Sequence, residues 1–190
     1  MIALRGDRAT HHQGCERKKA IVALSRCSYI VSMDLEKRQH FMRLAFDEAR
    51  QAFEKAETPV GAVVVFEDRV IGRGHNQTER LHDATAHAEM IALSAAYNHF
   101  GDWRLQDCTL FSTLEPCPMC AGAAVLSRIK TIVYGVADPK FGACGSILDI
   151  PSEKRLNHHI EVIGGVMEAE VSELMKLFFQ QVRKNKARIN

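Results

Sequence analysis

The sequence predicts an α/β protein, a three-layer α/β/α sandwich around a mixed five-stranded sheet. Segments whose apolar residues recur at helical spacing alternate with short runs rich in valine and isoleucine, as expected for helices packed on a sheet. Two of these runs bracket a helical segment, which indicates a β-α-β unit with parallel strands. Two earlier runs are separated by a two-residue turn, which indicates an antiparallel hairpin in the same sheet.

The first half of the chain predicts one long helix and the hairpin. The helix is expected over residues 34–56, where the apolar positions keep a helical period. These positions are Met42, Ala45, Phe46, Ala49, Phe53 and Ala56. Strands are expected at 60–66 and 69–75, with Glu67 and Asp68 forming the turn between them.

A second helix is expected to follow a polar loop and to stop near Gly101. Asp83 or Thr85 is expected to cap its N-terminus, because short polar side chains at this position accept hydrogen bonds from the first free N–H groups. Strands are then expected at 109–113 and 131–136, on either side of a short helix. This is the β-α-β unit that predicts parallel pairing.

The C-terminal part predicts a short fifth strand at 160–163 and a final helix. Apolar residues at helical spacing form the predicted inner stripe of this helix. They are Val171, Leu174, Met175, Phe178 and Val182.

Length and composition predict one soluble domain. A chain of 190 residues, 46% of them hydrophobic, can bury a substantial core without disulfides. The six cysteines lack the spacing of a disulfide framework, which favours free thiols and a cytoplasmic location. No segment approaches the apolar length of a membrane span, so we expect no membrane association.

Residues 1–32 are expected to be an extension outside the domain, which should span 33–190. The extension has six basic and two acidic residues, and its apolar stretch at 20–24 is soon interrupted by Arg26. A secretory signal would need a longer apolar core and a cleavage site with small residues. The basic bias would also suit a transit peptide, but Asp7 and Glu16 weaken that interpretation. We expect an upstream start codon or a disordered tail.

The strongest chemical signal is a His-x-Glu motif followed about thirty residues later by Cys-x-x-Cys. His87, Cys117 and Cys120 offer one nitrogen and two sulfur ligands, which is one fewer than a structural zinc site uses. A catalytic zinc keeps its remaining position for water, and the unliganded Glu89 is suited to carry that water's proton. The spacing therefore predicts a catalytic zinc site.

Other interpretations of the same residues involve no catalysis by a metal. Cys117 and Cys120 could form a redox pair, although such motifs need no upstream His-x-Glu. A structural zinc site would need a fourth ligand from His82 or Cys108, and neither has typical ligand spacing. A non-catalytic zinc scaffold would have no use for Glu89.

Several segments resemble the bacterial-type tRNA-specific adenosine deaminases of the cytidine deaminase superfamily. His-x-Glu with Pro-Cys-x-x-Cys is the signature of zinc-dependent nucleobase deaminases. The resembling segments are PVGAVVV (59–65), HDATAHAE (82–89), TLEPCPMCAGA (113–123), SRI (127–129) and GACGS (142–146). The resemblance runs from about residue 33 to the C-terminus and supports a cytidine deaminase-like sandwich.

This resemblance implies an activity and partners. It implies hydrolytic deamination of adenosine to inosine at the wobble position of a tRNA anticodon stem-loop, with one zinc ion per subunit. His87, Cys117 and Cys120 would hold the zinc, and Glu89 would transfer protons. A homodimer is implied, in which the partner subunit contributes to the RNA surface.

The resemblance also suggests two substrate-binding residues. Asn76 follows the second strand, where the family has an asparagine that hydrogen-bonds the purine; the alternative is a turn asparagine with an unusual backbone angle. Asp138 matches a family position beside the target nucleotide; the alternative is an ordinary Asp-Pro turn.

Global charge does not support RNA binding. The formal net charge is +2, but outside residues 1–32 the chain has 19 Lys and Arg against 21 Asp and Glu. A basic run at 183–188 is the best local candidate for an RNA contact, and it could equally complete a helix dipole. The competing function is deamination of a free base or nucleoside, of guanine or cytosine type, by the same zinc chemistry.

Overall fold

The computed structural model describes residues 34–189. The predicted extension at 1–32 lies outside the described residues, and so do Cys15 and Cys27. The expected domain organisation therefore stays a prediction.

The described chain alternates helices and strands as the sequence predicts. The elements are α1 (Leu35–Glu54), β1 (Gly61–Phe66), β2 (Arg69–His75), α2 (Thr78–Leu81), α3 (Ala88–Phe100), β3 (Thr109–Leu114), α4 (Pro118–Leu126), β4 (Thr131–Val136), β5 (Glu161–Ile163) and α5 (Glu168–Ile189). The predicted strands are confirmed to within one residue at each end. The four-residue helix α2 lies where the sequence predicted only a loop.

The sheet has five strands in the order β2-β1-β3-β4-β5. β1 pairs antiparallel with β2 and β3, whereas β3, β4 and β5 pair in parallel. The predicted mixed sheet and its β-α-β unit are thus confirmed. Glu67 and Asp68 have φ values of 46° and 59°, as the tight turn of a twisted hairpin requires.

Helices cover both faces of the sheet. Ala62, Val64 and Leu110 belong to the core cluster that includes residues of α3 and α4. On the opposite face, Phe111 packs against Phe41 of α1, with ring centroids 5.5 Å apart. α5 joins α1 there, because Phe53 contacts Phe178 at 6.2 Å. The three-layer prediction is confirmed.

Close approach of α3 to the hairpin positions the start of this helix. A Cβ atom on Gly72 would lie 2.2 Å from the carbonyl oxygen of Ala92, and one on Gly74 would lie 2.3 Å from that of Ala88. Only glycine allows the helix backbone to lie this close to a strand. The first turn of α3 is thereby held beside the end of β2.

The same end of the sheet receives the start of α4. β3 ends at Leu114, the neighbouring parallel strand β4 ends at Val136, and α4 begins four residues after Leu114. The carboxyl ends of parallel strands are where α/β proteins usually place their sites. None of the helices described is long and apolar enough to cross a membrane.

Candidate active site

His87 lies immediately before α3 and acts as its N-cap residue, with an extended backbone at φ −75° and ψ 152°. The prediction that Asp83 or Thr85 caps the helix is wrong. Asp83 Oδ1 accepts hydrogen bonds from the backbone N–H and the hydroxyl of Thr85, both at 2.7 Å. The carboxylate therefore closes a local turn, an alternative always open to Asp near a helix start.

Cys117 has the same place in α4 that His87 has in α3. It is the N-cap residue, with φ −72° and ψ 173°, and Pro118 occupies the first helical position as predicted. Cys120 follows in the first turn and is fully buried. Two helix N-termini therefore direct three ligand atoms to one place.

The three ligand atoms form a nearly equilateral triangle. The Nδ1 atom of His87 lies 3.6 Å from each sulfur, and the Sγ atoms of Cys117 and Cys120 lie 3.7 Å apart. Tetrahedral zinc bonds require about 3.8 Å between two sulfurs and about 3.6 Å between sulfur and nitrogen. The triangle therefore fits zinc.

No fourth protein ligand joins the triangle among the residues that the structure describes. The ligand group found there contains His87, Cys117 and Cys120, with all atoms within 4.8 Å of one another. It includes neither His82 nor Cys108, the two candidates for a closed structural site. A tetrahedral metal held by these three residues keeps one position open.

The two thiols differ in acidity because they share a hydrogen bond. The hydrogen bond between the two Sγ atoms, together with a contact to His87, lowers the pKa of Cys117 to about 4. The same interaction and burial raise the pKa of Cys120. A dication at the centre of the triangle would favour the thiolate form of both residues.

Glu89 is a buried carboxylate two residues after the ligand His87. It is the second residue of α3 and only 3% exposed. Burial raises its pKa, and its Oε1 atom accepts a hydrogen bond from the Ser112 hydroxyl at 3.2 Å. A raised pKa suits a carboxylate to the acceptance and return of a proton.

A cleft of about 600 Å³ opens over this centre. His87, Glu89 and Cys117 line it, together with both predicted substrate residues, Asn76 and Asp138. Five of the six predicted site residues therefore surround one space, and Cys120 completes the ligand triangle. The fold thus brings together the site residues that the sequence predicts.

The side chain of Asn76 is fixed by two hydrogen bonds. Asn76 lacks the positive φ that the turn interpretation requires. Its Nδ2 atom donates to Glu57 Oε2 at 3.2 Å, and its Oδ1 atom accepts from the Thr78 hydroxyl at 3.0 Å. The side chain is buried, fixed at both ends and located on the cleft wall.

Asp138 combines both of the roles considered for it. Its Oδ1 atom accepts hydrogen bonds from the backbone N–H groups of Lys140 at 2.9 Å and Phe141 at 3.3 Å, which makes it a turn residue. It is also half-buried and lines the cleft. The turn fixes a carboxylate at the cleft wall.

Glu115 was not predicted from the sequence as a site residue. It accepts hydrogen bonds from several residues of the loop that follows β4. Glu115 is 2% exposed and accepts hydrogen bonds from the backbone N–H groups of Asp138 and Cys144, both at 2.9 Å. It also accepts from the backbone N–H of Ser146 at 3.1 Å and from its hydroxyl. Burial alone would raise the pKa of Glu115, but these donors lower it overall.

The basic run at the C-terminus lies apart from the cleft lining. Residues 183–185 belong to α5 and are exposed, and no residue of α5 lines the cleft. A role of this run in RNA binding stays a prediction.

Comparison with known proteins identifies the family. A MafB19-like deaminase profile matches residues 36–183. A tRNA-specific adenosine deaminase from Streptococcus pyogenes is 45% identical over 152 residues, covering 80% of this chain and 96% of the relative.

Solved structures agree with this result. One, from a study of A-to-I editing by tRNA:A34 deaminases at the wobble position of transfer RNA, has 44% identity and a TM-score of 0.69, covering 71% of this chain and 98% of its own. A guanine deaminase from Nitrosomonas europaea, at 22% identity and TM-score 0.65 over 74% of this chain and 83% of its own, shares the fold alone. The cytidine deaminase-like fold is confirmed, and the chain belongs to the tRNA-specific adenosine deaminase family.

Proposed function

We propose that this chain converts adenosine to inosine at the wobble position of a tRNA anticodon, with one zinc ion per subunit held by His87, Cys117 and Cys120. The observation that carries this proposal is the three-ligand triangle at the bottom of an open cleft, with the buried Glu89 beside it. Zinc bound there would supply a Lewis acid that makes water nucleophilic near neutral pH.

Glu89 is proposed to move the protons. It takes a proton from the water that attacks C6 of adenine and delivers it to ring N1. The second water proton then passes to the departing amine, which leaves as ammonia, so that the water oxygen becomes the 6-oxo group of inosine. The Ser112 hydroxyl, 3.2 Å from Glu89 Oε1, keeps the carboxylate in place between these transfers.

The cleft wall would hold the target nucleotide. Asn76 is proposed to hydrogen-bond the purine, and Asp138 to contact the nucleotide beside the reacting base. A cleft of about 600 Å³ accommodates an unpaired base splayed out of an anticodon loop. Such a base enters at lower cost than one in a duplex, because no pairing has to be broken.

We propose that the active form is a homodimer and that residues 33–190 form the catalytic domain. Leu126 at the end of α4 and Ile147 and Leu148 in the loop after β4 are large apolar side chains exposed on the single chain. Burying such side chains against a second copy would remove apolar surface from water. A tRNA-modifying enzyme of this kind is expected in the cytoplasm, where its substrate is.

Shortening the RNA should lower the catalytic rate as well as the affinity. Contacts far from C6 are used to place the target base, so their loss affects kcat. We expect fast deamination in an anticodon stem-loop, slow reaction on the isolated loop and almost none on free adenosine. Single-turnover inosine formation, measured for the three substrates with the same enzyme preparation, checks this order.

The salt dependence of the rates on the stem-loop and on free adenosine is the matched control for this experiment. Phosphate contacts release counterions, so the reaction on the stem-loop should slow as salt rises. Any residual rate on free adenosine should barely change. Equal kcat on the stem-loop and on free adenosine would contradict a tRNA function and favour a nucleoside deaminase.

A further inference from the structure

Glu57 is a buried carboxylate on the cleft side of the fold that the proposed proton transfers do not use. It is 1% exposed. Its Oε2 atom accepts hydrogen bonds from Asn76 Nδ2 and from the backbone N–H of Glu79, both at 3.2 Å, and its Oε1 atom accepts from the backbone N–H of Arg80 at 2.7 Å. A buried charge destabilises a protein unless donors of this kind satisfy it.

Two of these donors belong to the start of α2. Glu79 and Arg80 are its second and third residues, whose N–H groups have no partner within the helix. Gln77, at the N-cap position, makes no capping hydrogen bond with its side chain. Glu57, from the segment before β1, therefore caps α2 with a side chain that lies more than twenty residues earlier in the chain.

The third donor is the Asn76 amide, whose orientation Glu57 determines. A carboxylate can only accept hydrogen bonds, so the Nδ2 atom must face Glu57. The Thr78 hydroxyl donates to Oδ1 from the other side at 3.0 Å. One N–H and one oxygen lone pair of Asn76 are then left for a ligand, in a fixed order.

We propose that Glu57 is a positioning residue that fixes the donor and acceptor order of the Asn76 amide before the purine binds. This inference rests on the proposed function, because the contact of Asn76 with the purine is part of it. A side chain held in its binding orientation pays less entropy on binding and keeps C6 aligned for attack. Because Glu57 also caps α2, it helps to hold Thr78, the first residue of that helix. The Thr78 hydroxyl is the second side-chain partner of Asn76.

The test is a double-mutant cycle between Glu57→Gln and Asn76→Ala. Glutamine preserves the shape but presents an N–H group, so it no longer dictates one amide orientation. Glu57→Gln should lower kcat on the anticodon stem-loop by about 10- to 100-fold with zinc content unchanged. In the Asn76→Ala background the same change should alter kcat by less than about twofold, because coupled residues are not additive.

A capping role alone predicts a different result. Glu57→Gln would then lower the melting temperature and reduce kcat by the same factor in both backgrounds, which would overturn the proposal. The matched control is Glu48→Gln, a buried carboxylate that hydrogen-bonds Gln51 and His75. It should lower the melting temperature and leave kcat unchanged.

Thr78→Val keeps the test decisive if Glu57→Gln fails to fold. It removes the hydroxyl that donates to Asn76 Oδ1 and leaves the capping carboxylate in place. We expect a smaller loss of kcat that disappears in the Asn76→Ala background. A loss that persists unchanged in that background would count against positioning through Asn76.

The Asn76 side-chain amide gives a readout independent of activity. Its NMR signal, assigned by its absence in Asn76→Ala, should show one ordered state in the unmodified protein and shift or broaden in Glu57→Gln. If no RNA is deaminated but the signal responds in this way, the proposed function fails and the positioning stands. If RNA is deaminated and both signal and cycle are unaffected, the positioning fails.

Discussion

Glu89→Ala is expected to eliminate deamination while the protein still binds zinc. Glu89 lies outside the ligand triangle, so its loss leaves all three metal ligands in place. Its removal deletes the group that accepts and returns protons, a contribution of about 10²- to 10⁴-fold in rate. We expect kcat on the anticodon stem-loop to fall by at least that lower bound, with a zinc content of one per chain.

Metal analysis and single-turnover inosine formation on the same preparation check this prediction. Ser112→Ala is the graded control, because it removes the hydrogen bond that holds Glu89 and keeps the carboxylate. It should lower the rate far less than Glu89→Ala. A folded Glu89→Ala protein that lacks zinc would show that Glu89 has a metal-binding role and would contradict the assignment.

Cys117→Ala is expected to lose zinc, activity and much of its stability together. The change removes one of three ligands, and metal binding at such a site is coupled to folding. The start of α4 should loosen because a bound metal would no longer tie Cys117 to His87 at the start of α3. We expect no measurable inosine, less than stoichiometric zinc and a lower melting temperature that added zinc does not restore.

Cys108→Ala is the matched control for this prediction. Cys108 is also a free thiol and is fully buried, but it lies outside the ligand group. Its replacement should cost some packing energy and leave zinc and kcat unchanged. If Cys117→Ala keeps a full complement of zinc and its activity, the triangle is not the catalytic metal site.

The metal ligands could be predicted because their signal is local. Cys117 and Cys120 lie at one helix start, and their spacing alone brings the two sulfurs together. The ligand His87 and the proton carrier Glu89 likewise lie two residues apart at the start of one helix, α3. The β-α-β unit was also predictable, since a helix between two apolar strands returns the chain to the same sheet edge.

The remaining features depend on long-range contacts that no short pattern encodes. Glu57 and Glu115 look like isolated acids beside apolar strands, and their donors are backbone N–H groups of loops folded against them. An acidic residue next to a buried strand was the one available signal. The capping prediction was wrong for a related reason. The Asp83 carboxylate can either close a local turn or cap a helix, and the sequence does not show which of the two forms.

The most direct test of the proposed function is product analysis with four substrates offered separately to the zinc-loaded, full-length chain. These are an anticodon stem-loop with adenosine at the wobble position, free adenosine, free guanine and free cytidine. We predict inosine at the wobble position of the stem-loop and almost no turnover of the three small molecules. Efficient deamination of free guanine or cytidine, with the stem-loop unchanged, would contradict the account.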